Sequence, residues 1–157
     1  MKERRGTALL VFCILSFVYI GFNLFSGLLG FIQGPMSEEQ LEETRYAFLS
    51  SVEASQAELA EGFFNDIMET TEIFNENFYL MSGVELANLI LGLFAVILMF
   101  QLKRGGYYLY LVYSLVPIVL YTYLGAGNVI ILITTIYFAV VGAIFSILYG
   151  FQTKRMD

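Results

Sequence analysis

The chain has no histidine and no tryptophan, a single cysteine (Cys13), and only two prolines among its 157 residues. Without histidine it lacks the commonest general base and transition-metal ligand. One cysteine excludes an intrachain disulfide, a thiolate metal cluster and a CxxC redox pair. Bases are scarce as well, with eight Lys and Arg against fourteen Asp and Glu and a net charge of −6. The sequence has no Asp-rich EF-hand loop, phosphate-binding glycine loop or nucleophile–base pair, so it offers no frame for a cofactor or a catalytic centre. The expectation is a non-enzymatic protein without cofactor or metal and without a nucleic-acid partner.

What is abundant is apolar. Hydrophobic side chains make up 58% of the chain and aromatics 17%, too much for a soluble domain of this size. They gather into four runs, at about residues 7–33, 81–102, 107–124 and 129–150. At about 1.5 Å rise per residue, a run of about 20 crosses the roughly 30 Å hydrocarbon core. The first run follows Met-Lys-Glu-Arg-Arg but is longer than a signal-peptide core, and no Ala-x-Ala-type cleavage site ends it. It therefore reads as an uncleaved span.

The few bases are placed with a pattern. Lys2, Arg4 and Arg5 precede the first run, Lys103 and Arg104 follow the second, and Lys154 and Arg155 follow the fourth. Cationic flanks stay on the cytoplasmic side during insertion, so both termini are expected inside. The segment 35–78 carries eleven acids and only Arg45 as a base, and falls outside. Ser37 and Gln40 form a capping-box pattern with Glu38 and Glu39 in the first turn, which predicts a helix start there. Leu41, Phe48, Val52 and Leu59 give that helix a thin apolar stripe, and Gly62 is the expected break. Phe63, Ile67, Phe74 and Phe78 recur at helical spacing and predict a second helix leading into the next span.

Each span gathers its small and polar residues on one face at spacings of three and four. Gly27 and Gly30 lie on the first, Gly92 on the second, and Ala139, Gly142, Ser146 and Gly150 on the fourth. Helices in lipid associate through close approach at small residues, so these are the expected packing positions. The fold class read from this is all-α, a single membrane domain over residues 1–157. It is an antiparallel four-helix bundle with an acidic extracytoplasmic helical hairpin between the first two spans. The strip on the fourth span is expected to serve either an internal neighbour, the first span through Gly27 and Gly30, or a second protomer.

Counted from the basic ends at about 1.5 Å per residue, Asn23, Glu85, Asn88, Tyr121 and Thr135 all fall about 20–24 Å up. They form a candidate polar layer in the outer leaflet. An acid within a span is a candidate for ion, proton or ligand handling, while Glu85 also lies close enough to the boundary to reach headgroups directly. Pro117 predicts a kink in the third span.

A long first outer segment, a short second one and four spans resemble the claudin-like topology of animal junction proteins, but the outer Trp and cysteine pair of that family have no counterparts here. The stretch Gln101 to Tyr113, QLKRGGYYLYLVY, and the closing ILYGFQTKRM resemble small four-span membrane proteins of bacteria such as the Bacteroidetes. That resemblance covers about a third of the chain. It implies a bacterial inner-membrane protein and supplies no catalytic residues. Two functions follow: an accessory or scaffold subunit whose outer helices dock a membrane-protein partner, or a small oligomeric transporter or channel-like protein built on the polar layer around Glu85. In both, the bilayer is the first partner.

Overall fold

The computed structural model describes residues 6–55, 58–125 and 127–156, and every secondary-structure element among them is helical. Six α-helices follow in order: α1 (Thr7–Gln33), α2 (Glu38–Ser55), α3 (Glu58–Glu76), α4 (Phe78–Phe100), α5 (Arg104–Leu124) and α6 (Val129–Gly150). A short 3-10 turn, Thr153–Arg155, comes last. Four of them, α1, α4, α5 and α6, are long and apolar enough to cross a membrane, the make-up of a multi-pass membrane protein.

The four apolar helices pack in sequence, α1 on α4, α4 on α5 and α5 on α6. The half nearest the chain ends holds the main core, where Leu9, Cys13, Val96, Met99, Tyr149 and Met156 are all but sealed from solvent. Arg104 Nε donates to the Met156 carbonyl at 2.7 Å and ties the C-terminal turn to the start of α5. Lys103, Arg104 and Lys154 stand at this terminal end, while the acids of α2 and α3 stand at the other, hairpin end.

The α4–α5 turn is tight. Lys103 N donates to Leu98 O at 2.9 Å, the six-to-one bond that closes a helix end, and Leu102 takes the left-handed position at φ 64°. Glycine is the usual occupant there, and a larger residue costs about 1–2 kcal/mol in backbone strain. Packing of the leucine side chain against the main core offsets that cost. Four residues on, a Cβ at Gly106 would stand 2.6 Å from both Ala95 O and Met99 N, so only glycine lets α5 leave α4 at this distance.

At the hairpin end the capping box forms as its sequence predicts. Ser37 N donates to Gln40 Oε1 at 2.9 Å and Gln40 N to Ser37 Oγ at 3.3 Å. α2 is described to Ser55 and α3 from Glu58, and Gly62, the expected break, lies inside α3. A glycine in a helix interior costs only about 1 kcal/mol relative to alanine, and neighbouring turns carry the helix through it. Phe48 meets Phe64 across the α2–α3 pair at 5.6 Å, and Arg45 bridges Glu72 at 2.7 Å. Val52 and Leu59 of the expected stripe lie outside the described side chains. Only Asn77 separates α3 from α4, and its N–H still donates to Ile73 O, so the two run on almost without interruption.

Asn128 joins the hairpin to the membrane helices. Its Oδ1 accepts from Ile130 N and Ile131 N as the N-cap of α6 and also from Thr70 Oγ1, while its Nδ2 donates to Asp66 O and Glu69 Oε2. One buried amide thereby caps one helix and pins another across it.

A polar recess around Glu85

Pro117 lies inside α5 and has no N–H, so the carbonyl four residues before it, on Tyr113, loses its helical partner. Asn88 supplies the replacement, its Nδ2 donating to Tyr113 O at 3.1 Å. That bond fixes which end of the amide is nitrogen. The Asn88 Oδ1 is then an acceptor with no hydrogen-bond partner among the described residues, although the residue is only 8% exposed. Buried acceptors are rarely left so.

Asn88 lines a recess of about 440 Å³ walled by α1, α4, α5 and α6. Its polar lining includes Asn23, Ser26, Ser82, Glu85, Asn88 and Tyr121, and no Lys or Arg is among its walls. Tyr121 OH donates to Glu85 Oε1 at 2.8 Å. The Tyr121 ring is held in turn by stacking on Phe138 at 5.3 Å and by the edge of Phe74 at 5.7 Å, so α6 and α3 together aim its hydroxyl. Asn23 Nδ2 donates to the Tyr19 carbonyl at 2.8 Å, which turns the amide back onto its own helix.

Four of the five residues of the expected layer thus meet around one recess: Asn23, Glu85, Asn88 and Tyr121. Thr135 does not join them. Its hydroxyl donates to Ile131 O at 2.8 Å, and the residue borders a separate cavity of about 130 Å³ on the other side of Tyr121. Ser82 belongs to the recess and went unread, although its place one turn before Glu85 on the same helix was the available signal.

Comparison with protein-family models, curated proteins and solved structures gives no match. The residues must therefore speak through their own geometry.

The small residues pack differently from the expected pairing of the first and fourth spans. A Cβ at Gly27 would stand 3.2 Å from Leu86 of α4, whereas one at Gly30 would meet nothing within 4 Å. Gly142 faces Ser114 of α5, where a Cβ would lie 3.1 Å from the serine Cβ, and Gly150 faces the Tyr107 hydroxyl at 3.2 Å. Ala139 and Ser146 are half-buried on the same helix. Gly142 and Gly150 of α6 pack on α5, and Gly27 of α1 on α4. Gly92 is the tightest of the expected positions, with the Tyr113 ring 2.7 Å from a Cβ placed there.

Glu85 is the one carboxylate on the recess walls, oriented by a phenol, with an unpaired amide oxygen on the same helix. Among the described residues no group of three His, Cys, Asp or Glu is placed to hold a metal ion.

Proposed function

We propose that this chain is a non-enzymatic membrane protein that binds a cationic group in the recess around Glu85. The observation that carries the reading is an excess of acceptors: a carboxylate with one oriented hydrogen bond and a buried, unpartnered Asn88 Oδ1, in a recess without a base. An acid at membrane depth is costly unless something compensates it, and a bound cation does so. With the basic flanks held in the cytoplasm, the recess opens in the outer leaflet. The main core fills the other half of the helices, which favours a site that holds a ligand over a continuous pore.

Glu85 is the only acid within the four apolar helices, so a membrane-permeant diazo reagent, which esterifies carboxylic acids with loss of nitrogen and without an added nucleophile, gives a direct readout in the purified, bilayer-reconstituted protein. Ethylammonium should protect Glu85 from modification, read by peptide mass spectrometry, while ethanol should not. Equal modification with and without ethylammonium would remove the cation-binding reading.

The accessory-subunit reading retains one specific observation. Tyr46 of α2 is 76% exposed and Phe63 of α3 52%, with Leu49 exposed as well, so the hairpin presents apolar side chains to its surroundings. Purification in mild detergent, followed by mass spectrometry, should return a stoichiometric second protein if that surface docks a subunit.

A further inference from the structure

The Glu85 recess adjoins a second cavity, of about 340 Å³, that lies nearer the terminal end. Leu15, Ser16 and Ile20 of α1, Tyr110 and Ser114 of α5, and Tyr137, Val141, Gly142 and Phe145 of α6 line it, and Tyr19, Tyr113, Pro117 and Phe138 border both spaces. α1 and α6 meet at the bottom, where Ser16 Oγ and Tyr149 OH share a hydrogen bond of 2.9 Å. Above that bond the two helices part, and Leu15, Tyr19 and Tyr137 at the edges are each about half exposed. The result is a cleft with a polar, acidic upper end and an apolar lower end, flanked by the lipid-facing sides of two helices.

We propose that the cleft receives a single-chain amphiphile headed by a primary ammonium, entering sideways from the bilayer between α1 and α6. The proposal rests on the cation-binding reading and adds the identity of the cation. The ammonium meets Glu85, which calls for N–H donors, while the unpaired Asn88 Oδ1 sits sealed in the wall one turn along the same helix. Hydroxyls beside the amine have Ser26 and Ser82 as partners on the same walls. The alkyl chain lies along Leu15, Ile20, Val141 and Phe145. From Gly27 to Leu15 the lining spans twelve helical steps of α1, about 18 Å for head and chain together, enough for a chain well beyond a few carbons. Two features argue against a phospholipid: no base lines either cavity to receive a phosphate, and the apolar space is one groove rather than two. The polarity of the cleft also matches a molecule seated in one leaflet, with its head towards the hairpin end.

Protection of Glu85 from the diazo reagent tests this in reconstituted protein. Dodecylammonium should protect at a concentration about tenfold or more below that of ethylammonium, as burial of the added methylenes requires. Partitioning into the bilayer raises the effective concentration of the long chain, so the deciding comparison uses V141W, which fills the lower cavity. In V141W ethylammonium should protect as before, while the advantage of dodecylammonium shrinks to what partitioning alone gives; L15W fills the same cavity from the opposite wall and should repeat the result. An unchanged advantage in both variants overturns the chain assignment while leaving the cation reading intact. Protection by dodecyltrimethylammonium equal to that of the primary amine overturns the N–H requirement. Protection by vesicle phosphatidylethanolamine over phosphatidylcholine, at the level of the single-chain amine, replaces the single-chain ligand with a phospholipid. If neither ethylammonium nor dodecylammonium protects, both readings fail together.

Discussion

The two halves of the membrane helices are built on opposite principles. The terminal half is filled by side chains that touch one another, with Tyr149 fully buried among Cys13, Ser16 and Tyr110 and with glycines at the contacts where backbones come close. The hairpin half is held open. Tyr121, Phe138 and Phe74 stack into a scaffold that positions one phenol, and the space beside it is left as a recess. Lipid tails are as apolar as leucine, so helices in a bilayer gain little from burying more apolar surface. A membrane protein can therefore hold one half closed by close packing and keep the other half open without losing the drive that would collapse a cleft in water.

If that contrast is right, the closed half should be the less forgiving. The largest effect is expected at Gly106, where a side chain would meet the α4 backbone rather than a movable side chain. Gly106→Leu should destabilise the folded protein by about 3 kcal/mol, the upper part of the usual overpacking range, as measured by unfolding in mixed micelles. Gly30→Leu, with open space around its Cβ, should stay within about 0.5 kcal/mol. Comparable losses at both sites would mean that packing is not concentrated in the terminal half.

The next effect tests the joint between the recess and the hairpin. Asn128→Ala removes the N-cap of α6 together with the bonds to Thr70, Asp66 and Glu69, and should cost about 2 kcal/mol. Hydrogen exchange across α3 should rise in step, because the tie to α6 is lost. Unchanged exchange in α3 would show that the hairpin is held by its apolar contacts alone.

Much of this arrangement could be read in advance. The four apolar helices followed from run length, and the start of α2 from Ser37 and Gln40. Asn23, Glu85, Asn88 and Tyr121 converge as their depths require, because antiparallel helices of known rise place equal depths side by side. Depth alone says nothing of rotation about each axis, which is why Thr135 was grouped with them although it bonds to its own helix and faces another cavity. Rotation also decides which small residues meet. A stripe marks a packing face without naming the neighbour, and Gly142 found Ser114 rather than the first span. Nothing in the spacing marks Asn128 as a junction, since the partners that make it one come from a helix some sixty positions earlier in the chain. The open cleft between α1 and α6 had no signal in composition or spacing, because it consists of contacts not made.

A smaller effect is expected inside the boundary between the halves. Asn88→Leu leaves the Tyr113 carbonyl unpaired where Pro117 has already removed its helical donor, and should cost about 1 kcal/mol. In a Pro117→Ala background the restored N–H of residue 117 can take that carbonyl, and the same Asn88→Leu change should then cost less than half as much. A double-mutant cycle without coupling would separate the amide from the proline and leave Asn88 solely a wall of the recess.

The smallest effect on stability is expected at the residue that matters most to the recess. Glu85→Gln keeps the size of the side chain and an oxygen that can accept from Tyr121 OH, so unfolding should shift by no more than about 0.5 kcal/mol. The carboxylate faces open space rather than a packed wall, and the glutamine removes a charge that the bilayer disfavours. A binding role predicts the opposite sign for the two readouts: stability held or slightly raised, and ammonium affinity lost, as followed by the quenching of tyrosine fluorescence on titration with dodecylammonium. A glutamate placed only to anchor the helix end at the headgroups predicts that affinity for the amine stays as it was. If Glu85→Gln instead lowers stability by as much as Gly106→Leu, the carboxylate is a structural member of the packing, and the division between a closed half and an open one no longer holds.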